Sequence, residues 1–368
     1  MKPQIYAICV AAVLFAACDK INGNPDGPSD GTGTEQPETP SGKKIKQIIY
    51  EEENNANLYT DLGYSADYDN CTMTFSYDEK GRVGSVEIEY PKHDREDDLK
   101  SIGWTADYST VGEISLKERY SFPDRNGEAQ HHVGLDSKGN AKTFGYYYDT
   151  DYENNYEMCF EFGYTAENYL SEVDDKEVGY KENFYYENGC LAKYRASHKE
   201  SSETLSFDAG KYFPNRCPNN SQIDGFGFLV QFGDGLPSNI LRYFGLVGHT
   251  EKYMMECFPY GGSGFSDSPR PMSYPEPNKV IHTSYTTGKF ADDNPEAEVN
   301  YKYDEDNCIT DIVSTLSFSV IQVDYDIVVG NELLYPEMPE GGYKYEVKNR
   351  TEKKVKDDSI TKTWKIIY

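Results

Sequence analysis

From Thr72 to Tyr90 the chain reads TMTFSYDEKGRVGSVEIEY. Met73, Phe75 and Tyr77 alternate with Thr72, Thr74 and Ser76; Val86, Ile88 and Tyr90 alternate with Ser85, Glu87 and Glu89. Period-two patterning on both sides of a turn, with Gly81 free to take positive φ, predicts a β-hairpin. Looser copies follow. Leu135–Asn140 leads into Phe144–Tyr148, and Phe162–Leu170 leads to Val173. Phe184–Leu191 leads to Tyr194, and Tyr301–Ile309 leads to Ile312 and Val313. The shared grammar is aromatic-x-Tyr, an acidic or amide turn with Gly or Asn, then an aliphatic strand. Its spacing is irregular, which points to a meander with insertions rather than a solenoid or propeller.

Two features refine this pattern. Leu316, Phe318 and Val320 alternate on one parity, and Ile321, Val323, Tyr325 and Ile327 on the other. A one-residue slip flips every side chain, so a bulge or bend is expected near Val320–Ile321. The stretches Lys46–Tyr50 and Trp364–Tyr368 also resemble each other as strands. Pairing first strand to last would remove two exposed edges and close a barrel. Between Gly210 and Pro277 the alternation breaks, and the most apolar stretch carries a short helix after Pro237. It is expected to pack as a plug against the inner face of the sheet, with a ligand-lining lid as the alternative. The fold class expected is therefore all-β: a large, curved antiparallel meander of Tyr-rich hairpins, with closure into a barrel slightly favoured. An apolar, partly helical insert falls around 225–260.

Composition sharpens the picture. Tyrosine is unusually frequent, 33 against 17 Phe and 2 Trp, and mean hydropathy is −0.75. Tyr has an apolar ring and a polar tip, which suits a thin core with half-wet margins. The 36 basic and 63 acidic residues leave a net charge of −27. A nucleic-acid partner needs a basic face and is excluded on that ground.

The N-terminus MKPQIYAICVAAVLFAACDK has the shape of a secretory leader, too short to span a bilayer permanently. Leu14-Phe15-Ala16-Ala17-Cys18 resembles a bacterial lipobox, with Phe15 where Leu is commonest. Residues 1–17 are read as a lipoprotein signal peptide, and Cys18 as the lipid attachment, anchoring the chain to a membrane. Residues 18–42, rich in Gly, Pro, Ser, Thr and Asp, read as a flexible tether. Residues 43–368 read as a single antiparallel β domain. Cys71, Cys159, Cys190, Cys217, Cys257 and Cys308 remain in it, either as three disulfides or as buried free thiols.

Leader, Cys18, tether and Tyr-rich hairpins together resemble the lipoproteins of Bacteroidota. More narrowly, Asn239–Gly248 and Tyr301–Ile312 resemble an uncharacterised outer-membrane lipoprotein family there, a domain of unknown function with a porin-like antiparallel β fold. The resemblance implies an outer-membrane location, with periplasmic and cell-surface faces both open, and carries no catalytic residues. A membrane barrel needs an apolar outer band. Val86–Tyr90 and Tyr343–Lys348 instead place Glu, Lys and Ser opposite their apolar positions, so the sheet is expected to stand in water.

The search for chemistry returns little. G-x-S-x-G, the P-loop and H-E-x-x-H are absent, with Gly261–Phe265 failing the first at its last position. His131 and His132 would point to opposite faces of a strand, which disfavours a shared metal. The acidic runs Asp94–Asp98, Asp149–Asn155 and Asp304–Asn307 read as solvated turns. Asp358-Ser359-Ile360 resembles a short O-glycosylation acceptor. Tyr146, Tyr148, Tyr186 and Tyr303 are the candidate ligand-facing aromatics, since Tyr clusters stack sugars or peptides as readily as they build strands. The expectation is a non-enzymatic envelope lipoprotein without cofactor or metal. It would bind polysaccharide or another envelope protein; a purely structural or protein-interaction scaffold is the runner-up, and a hydrolase with unrecognised carboxylates is third.

Overall fold

The computed structural model describes residues 43–54, 70–91, 99–148, 156–176, 179–198, 204–208, 217, 219–221, 223, 237–259, 276–291, 296–333 and 343–368. The leader, Cys18, the tether, and the acidic runs 94–98 and 149–155 lie outside them.

The expected class is the observed one: one antiparallel sheet of 17 strands. A meander runs through β1 (Gln47–Asn54), β2 (Cys71–Tyr77), β3 (Val83–Glu89), β4 (Ser101–Asp107), β5 (Glu113–Ser121) and β6 (Asn126–Leu135). It continues through β7 (Ala141–Tyr148), β8 (Tyr156–Tyr164), β9 (Leu170–Asp175), β10 (Tyr180–Glu187), β11 (Cys190–His198) and β12 (Thr204–Asp208). After the helix α1 (Pro237–Tyr243) come β13 (Cys257–Pro259), β14 (Val280–Lys289), β15 (Glu296–Tyr303), and the 25-residue strands β16 (Ile309–Leu333) and β17 (Tyr343–Ile367).

The two ends of the fold do pair, Gln47 opposite Ile367 and Asn54 opposite Ile360. The barrel expectation is nonetheless corrected: the sheet is not closed. β1 gives its second edge to β2 and β17 gives its own to β16, so the first-to-last joint lies inside the sheet. Among the described residues no ladder joins β12 to β13 or β14. The long insert interrupts the meander at that point, and the open edges fall there.

Four turns share one construction, which explains the repeated grammar. Asp78, Asp136 and Asp304 each accept from backbone N–H groups two and four residues on, for example Lys138 N and Asn140 N to Asp136 Oδ1 at 2.8 and 2.9 Å. Thr165 does the same for Tyr169 through its hydroxyl. The fourth residue takes positive φ: Gly139 at 88°, Asn168 at 71°, Asn307 at 57°. Each is a three-residue hairpin loop whose left-handed residue forms a bulge, and a register shift follows in each ladder. Burial works against ionisation of Asp136, but the hydrogen bonds from Asn140 and Lys138 outweigh it and hold the carboxyl below its usual range.

The insert plugs this turn-bearing end. Gly245, at φ 67°, ends α1 with Leu246 N bonding Leu241 O and Gly245 N bonding Arg242 O, a Schellman cap. The chain then crosses the turns in order. Leu246 O accepts from Ala141 N, His249 N donates to Asn168 O, Lys252 N to Gly189 O, and Glu256 O accepts from Val299 N. A Cβ at Gly248 would collide with the Asn168 carbonyl oxygen, so this crossing requires glycine. Leu241, Met254 and Met255 are fully buried and join Met73, Leu116, Phe144, Ile312 and Trp364 in one core. The expected plug is therefore present in the described part of the insert.

The phase change in β16 has a different outcome from the one expected. A register irregularity does fall between Val320 and Ile321. Yet Val320 is buried in the main core and Ile321 in a second cluster with Val323, Tyr325, Ile327 and Val329. Adjacent strand residues face opposite ways, so the strand does not realign its apolar side; it changes which face is covered. Beyond Ser319, β16 pairs with β14 and β17 alone among the described strands, forming a three-stranded arm. At about 3.3 Å per residue, β16 reaches roughly 80 Å from the turn at Asp304 to its far end.

Candidate functional site

Tyr186 is half-buried and stacks on Tyr169, ring centroids 4.8 Å apart at 24°. Tyr303 is half-buried beside Tyr301, 6.4 Å between rings. Tyr146 and Tyr148 are placed by backbone register, Tyr146 opposite His131 and Met158, and Tyr148 opposite Tyr156. The four thus occupy β7, β10 and β15, and the two with described side chains pack against the main core.

Other tyrosines act as staples. Tyr77 Oη donates to Ile45 O at 2.7 Å, Tyr108 Oη to Val83 O at 2.7 Å, Tyr164 Oη to Ala141 O at 2.7 Å, and Tyr368 Oη to Ile309 O at 2.9 Å. Tyr301 Oη donates to Met255 O, fastening the insert to β15. Burial pushes the phenols up: Tyr108, Tyr303 and Tyr368 to about 12, and Tyr164 and Tyr301 further. All five stay protonated through the physiological range, and Tyr108, Tyr164, Tyr301 and Tyr368 are the donors among them. The high Tyr content is in this way largely a structural demand: rings fill the margin of a thin core and hydroxyls satisfy backbone carbonyls there.

Buried polar groups missed by sequence reading lie in the core. On the inner parity of β5, after Ile114 and Leu116, stands Glu118, 6% exposed. Its Oε2 accepts from Trp104 Nε1 at 2.7 Å and faces His131 Nε2 at 3.1 Å. His131 is fully buried and stacks on Phe144, while His132 is exposed near Glu113, so the two histidines do face opposite ways. On β10 the buried Glu182 accepts from Tyr194 at 2.6 Å and from Tyr180 at 3.3 Å. A carboxylate in an apolar row is tolerable only with such partners. The alternation rule alone would have flagged them: an acidic residue on the parity of Ile and Leu.

Among the described residues the outer face carries a shallow groove, about 370 Å³, along β4. Its floor is Ser85, Ser101, Gly103, Thr105 and Ser121, and its walls are Glu87, Arg119 and Glu128. Arg119 and Lys117 are both bound to Glu128, at 3.1 and 2.6 Å. Together with exposed Glu89, Asp107, Gln130 and His132, these residues make the outside of β3–β6 polar and charged rather than an apolar band.

The six cysteines of the body stand as separate thiols rather than disulfides, Cys71, Cys190 and Cys308 buried and Cys159, Cys217 and Cys257 half-buried. No group of three His, Cys, Asp or Glu suited to a metal occurs among the described residues. Asp304–Asn307 is the turn described above, with Lys43 Nζ bound to Asp304 at 2.7 Å and to Asp306 at 2.5 Å. Asp358–Ile360 lies within β17, opposite Leu316–Phe318 of β16. No described helix is long and apolar enough to cross a membrane.

No protein-family profile matches the chain, and no curated protein does. Among solved structures it is similar to a porin-like protein from Bacteroides uniformis, at 12% identity and a TM-score of 0.49, over 88% of this chain and 98% of that one. It is also similar to a porin-like protein from Bacteroides vulgatus, at 10% identity and a TM-score of 0.32, over the same shares.

Proposed function

We propose that this chain is an envelope protein, lipid-anchored at Cys18, whose β body is an interaction scaffold that presents its arm away from the membrane. One observation carries the reading. The described part of the insert packs into the main core, with Leu241, Met254 and Met255 fully buried among the inward residues of the sheet, so protein covers the core at the turn-bearing end. The described aromatics serve as packing and staples. The placement of the ends supports the orientation. Lys43 and Lys46 bind at the turn-bearing end, to Asp304 and to the Tyr368 carbonyl oxygen, so the tether joins there. The arm leaves the body on the opposite side, beyond Ser319, and its far end lies roughly 80 Å from the turn at Asp304 along β16.

A photo-crosslinking residue at Thr286, on the arm, is expected to give discrete adducts in cells that the same residue at Thr105, in the outer groove, does not. A glycan array probed with the full chain is expected to stay at background. Saturable glycan binding weakened by Arg119→Ala, with no arm adduct, would overturn the scaffold reading in favour of the polysaccharide-binding one. The anchor is tested by labelling with an alkynyl fatty acid: label should be lost in Cys18→Ser, and equal label in both chains would end that claim.

A further inference from the structure

Among the described residues the arm has two open edges, and they are built differently. Beyond β1's last rung at Ile360, the outer edge of β17 carries Lys344, Glu346, Lys348, Arg350, Glu352 and Lys354. Dense charge of this kind is how sheet edges resist pairing with other strands. The outer edge of β14 has no such guard. VIHTSYTTGK is rich in β-branched residues and contains no Asp or Glu, in a chain with 63 acidic residues.

The hydrogen-bond phase of β14 follows from its register. Val329 N donates to Lys279 O, and the ladder to β16 runs without a shift from Val280–Val328 to Lys289–Ser319. In an antiparallel pair, alternate residues aim both backbone groups at the partner. The odd-numbered residues of β14 therefore face β16. Val280, His282, Ser284, Thr286 and Gly288 turn their N–H and C=O outward, and no described strand pairs with them. This set is symmetric about Ser284.

We propose that the outer edge of β14 pairs antiparallel with the same edge of a second copy of this chain, about a two-fold axis at Ser284. The inference rests on the scaffold reading above. Ser284 would face its own copy and His282 would face Thr286; Val280 is 67% exposed at the outer end, while Gly288 is already buried at the end next to the body, so the rungs from His282 to Thr286 carry the pairing. On the other face Thr283 meets Tyr285 and Ile281 meets Thr287. The cluster around Val323, against which Ile281 and Tyr285 already pack, thus continues into the partner. Lys279 and Lys289 would oppose each other at the two ends, but each is already neutralised, by Glu276 and Glu352. No residue of β14 is acidic, so the directly opposed pairs at this edge bring no two carboxylates together.

Ser284→Cys in the full chain, oxidised in cell membranes, tests the register. Directly opposed residues of this type have Cα atoms about 5.5 Å apart, within disulfide reach. A dimer band on a non-reducing gel is expected, at least tenfold stronger than for wild type or for Lys353→Cys on the guarded edge. His282→Cys and Thr286→Cys should each crosslink weakly alone and strongly when co-expressed. Thr286→Pro removes an outward N–H without touching the β16 ladder. It should abolish the Ser284→Cys dimer and leave the circular dichroism unchanged. No excess over Lys353→Cys, or an equal yield from His282→Cys alone, overturns self-pairing. If Ser284→Cys stays monomeric while the Thr286 photoprobe still captures other proteins, self-pairing alone fails. If both are silent, the scaffold reading fails with it.

Discussion

The body and the arm obey one rule of alternation and reach opposite ends with it. In the body, strands β1 to β12 turn one parity inward against an insert supplied by the same chain, and the other parity stands in water. In the arm, β16 reverses the parity of its apolar residues at Val320–Ile321 and builds a second cluster on the other face. The body covers the turn-bearing end of its core with a plug fastened by Tyr301, Tyr164 and the backbone of Leu246 and His249. Among the described residues the arm is three strands wide and keeps two open edges, one densely charged and one without acidic residues. Closing a core and leaving an edge available are separate demands, and this chain assigns them to separate regions.

The sharpest break of the comparison is a core substitution in each. Trp364→Ala, at the joint of β1, β16 and β17, should cost the whole fold about 3–5 kcal/mol, read by chemical denaturation. Ile327→Ala should cost about 2–4 kcal/mol locally. Its loss of amide-exchange protection is expected to stay within β14 and the paired parts of β16 and β17. Protection lost equally in β5 and β6 would show that the two regions unfold as one.

Alkaline pH should separate them next. The raised phenols, Tyr108, Tyr164, Tyr301, Tyr303 and Tyr368, all belong to the body. A folded-state value above the unfolded one of about 10 leaves stability fully present below pH 10. Stability then falls as pH rises from 10 through 12, because only the unfolded chain releases its protons. Tyrosinate absorbance is expected to appear together with unfolding; a gradual rise in a folded chain would contradict the stapling role. The smallest effect is at a turn. Asp136→Ala removes acceptors for Lys138 N and Asn140 N and should lower stability by about 1 kcal/mol, while Asp136→Asn, which keeps an acceptor, should lose less.

Much of this was legible in the residues. Met73, Val86 and Ile88 are buried where period two places them, and the turns after Tyr77, Leu135, Tyr164 and Tyr303 fall where Asp or Thr is followed by Gly or Asn. Pairing of Lys46–Tyr50 with Trp364–Tyr368 was legible too, though not its consequence, since closure depends on what lies between β12 and β13. The charged partners in the core were visible only as exceptions: Glu118 and Glu182 sit on apolar parities, but nothing local names Trp104, His131 or Tyr194 as their partners. The tyrosines show the limit most plainly. A Tyr beside a turn can line a groove or fasten a carbonyl, and the same side chain serves both.

What the sequence determined alone is therefore local: strand, turn, parity and the absence of acid along Val280–Lys289, each set by neighbours a few residues away. The tertiary structure decided which face each parity meets, that the insert packs into the main core, and which edges stay open among the described residues. Those outcomes depend on contacts between residues far apart in the chain, such as Tyr301 with Met255 and Val329 with Lys279, and no short window of sequence contains both partners.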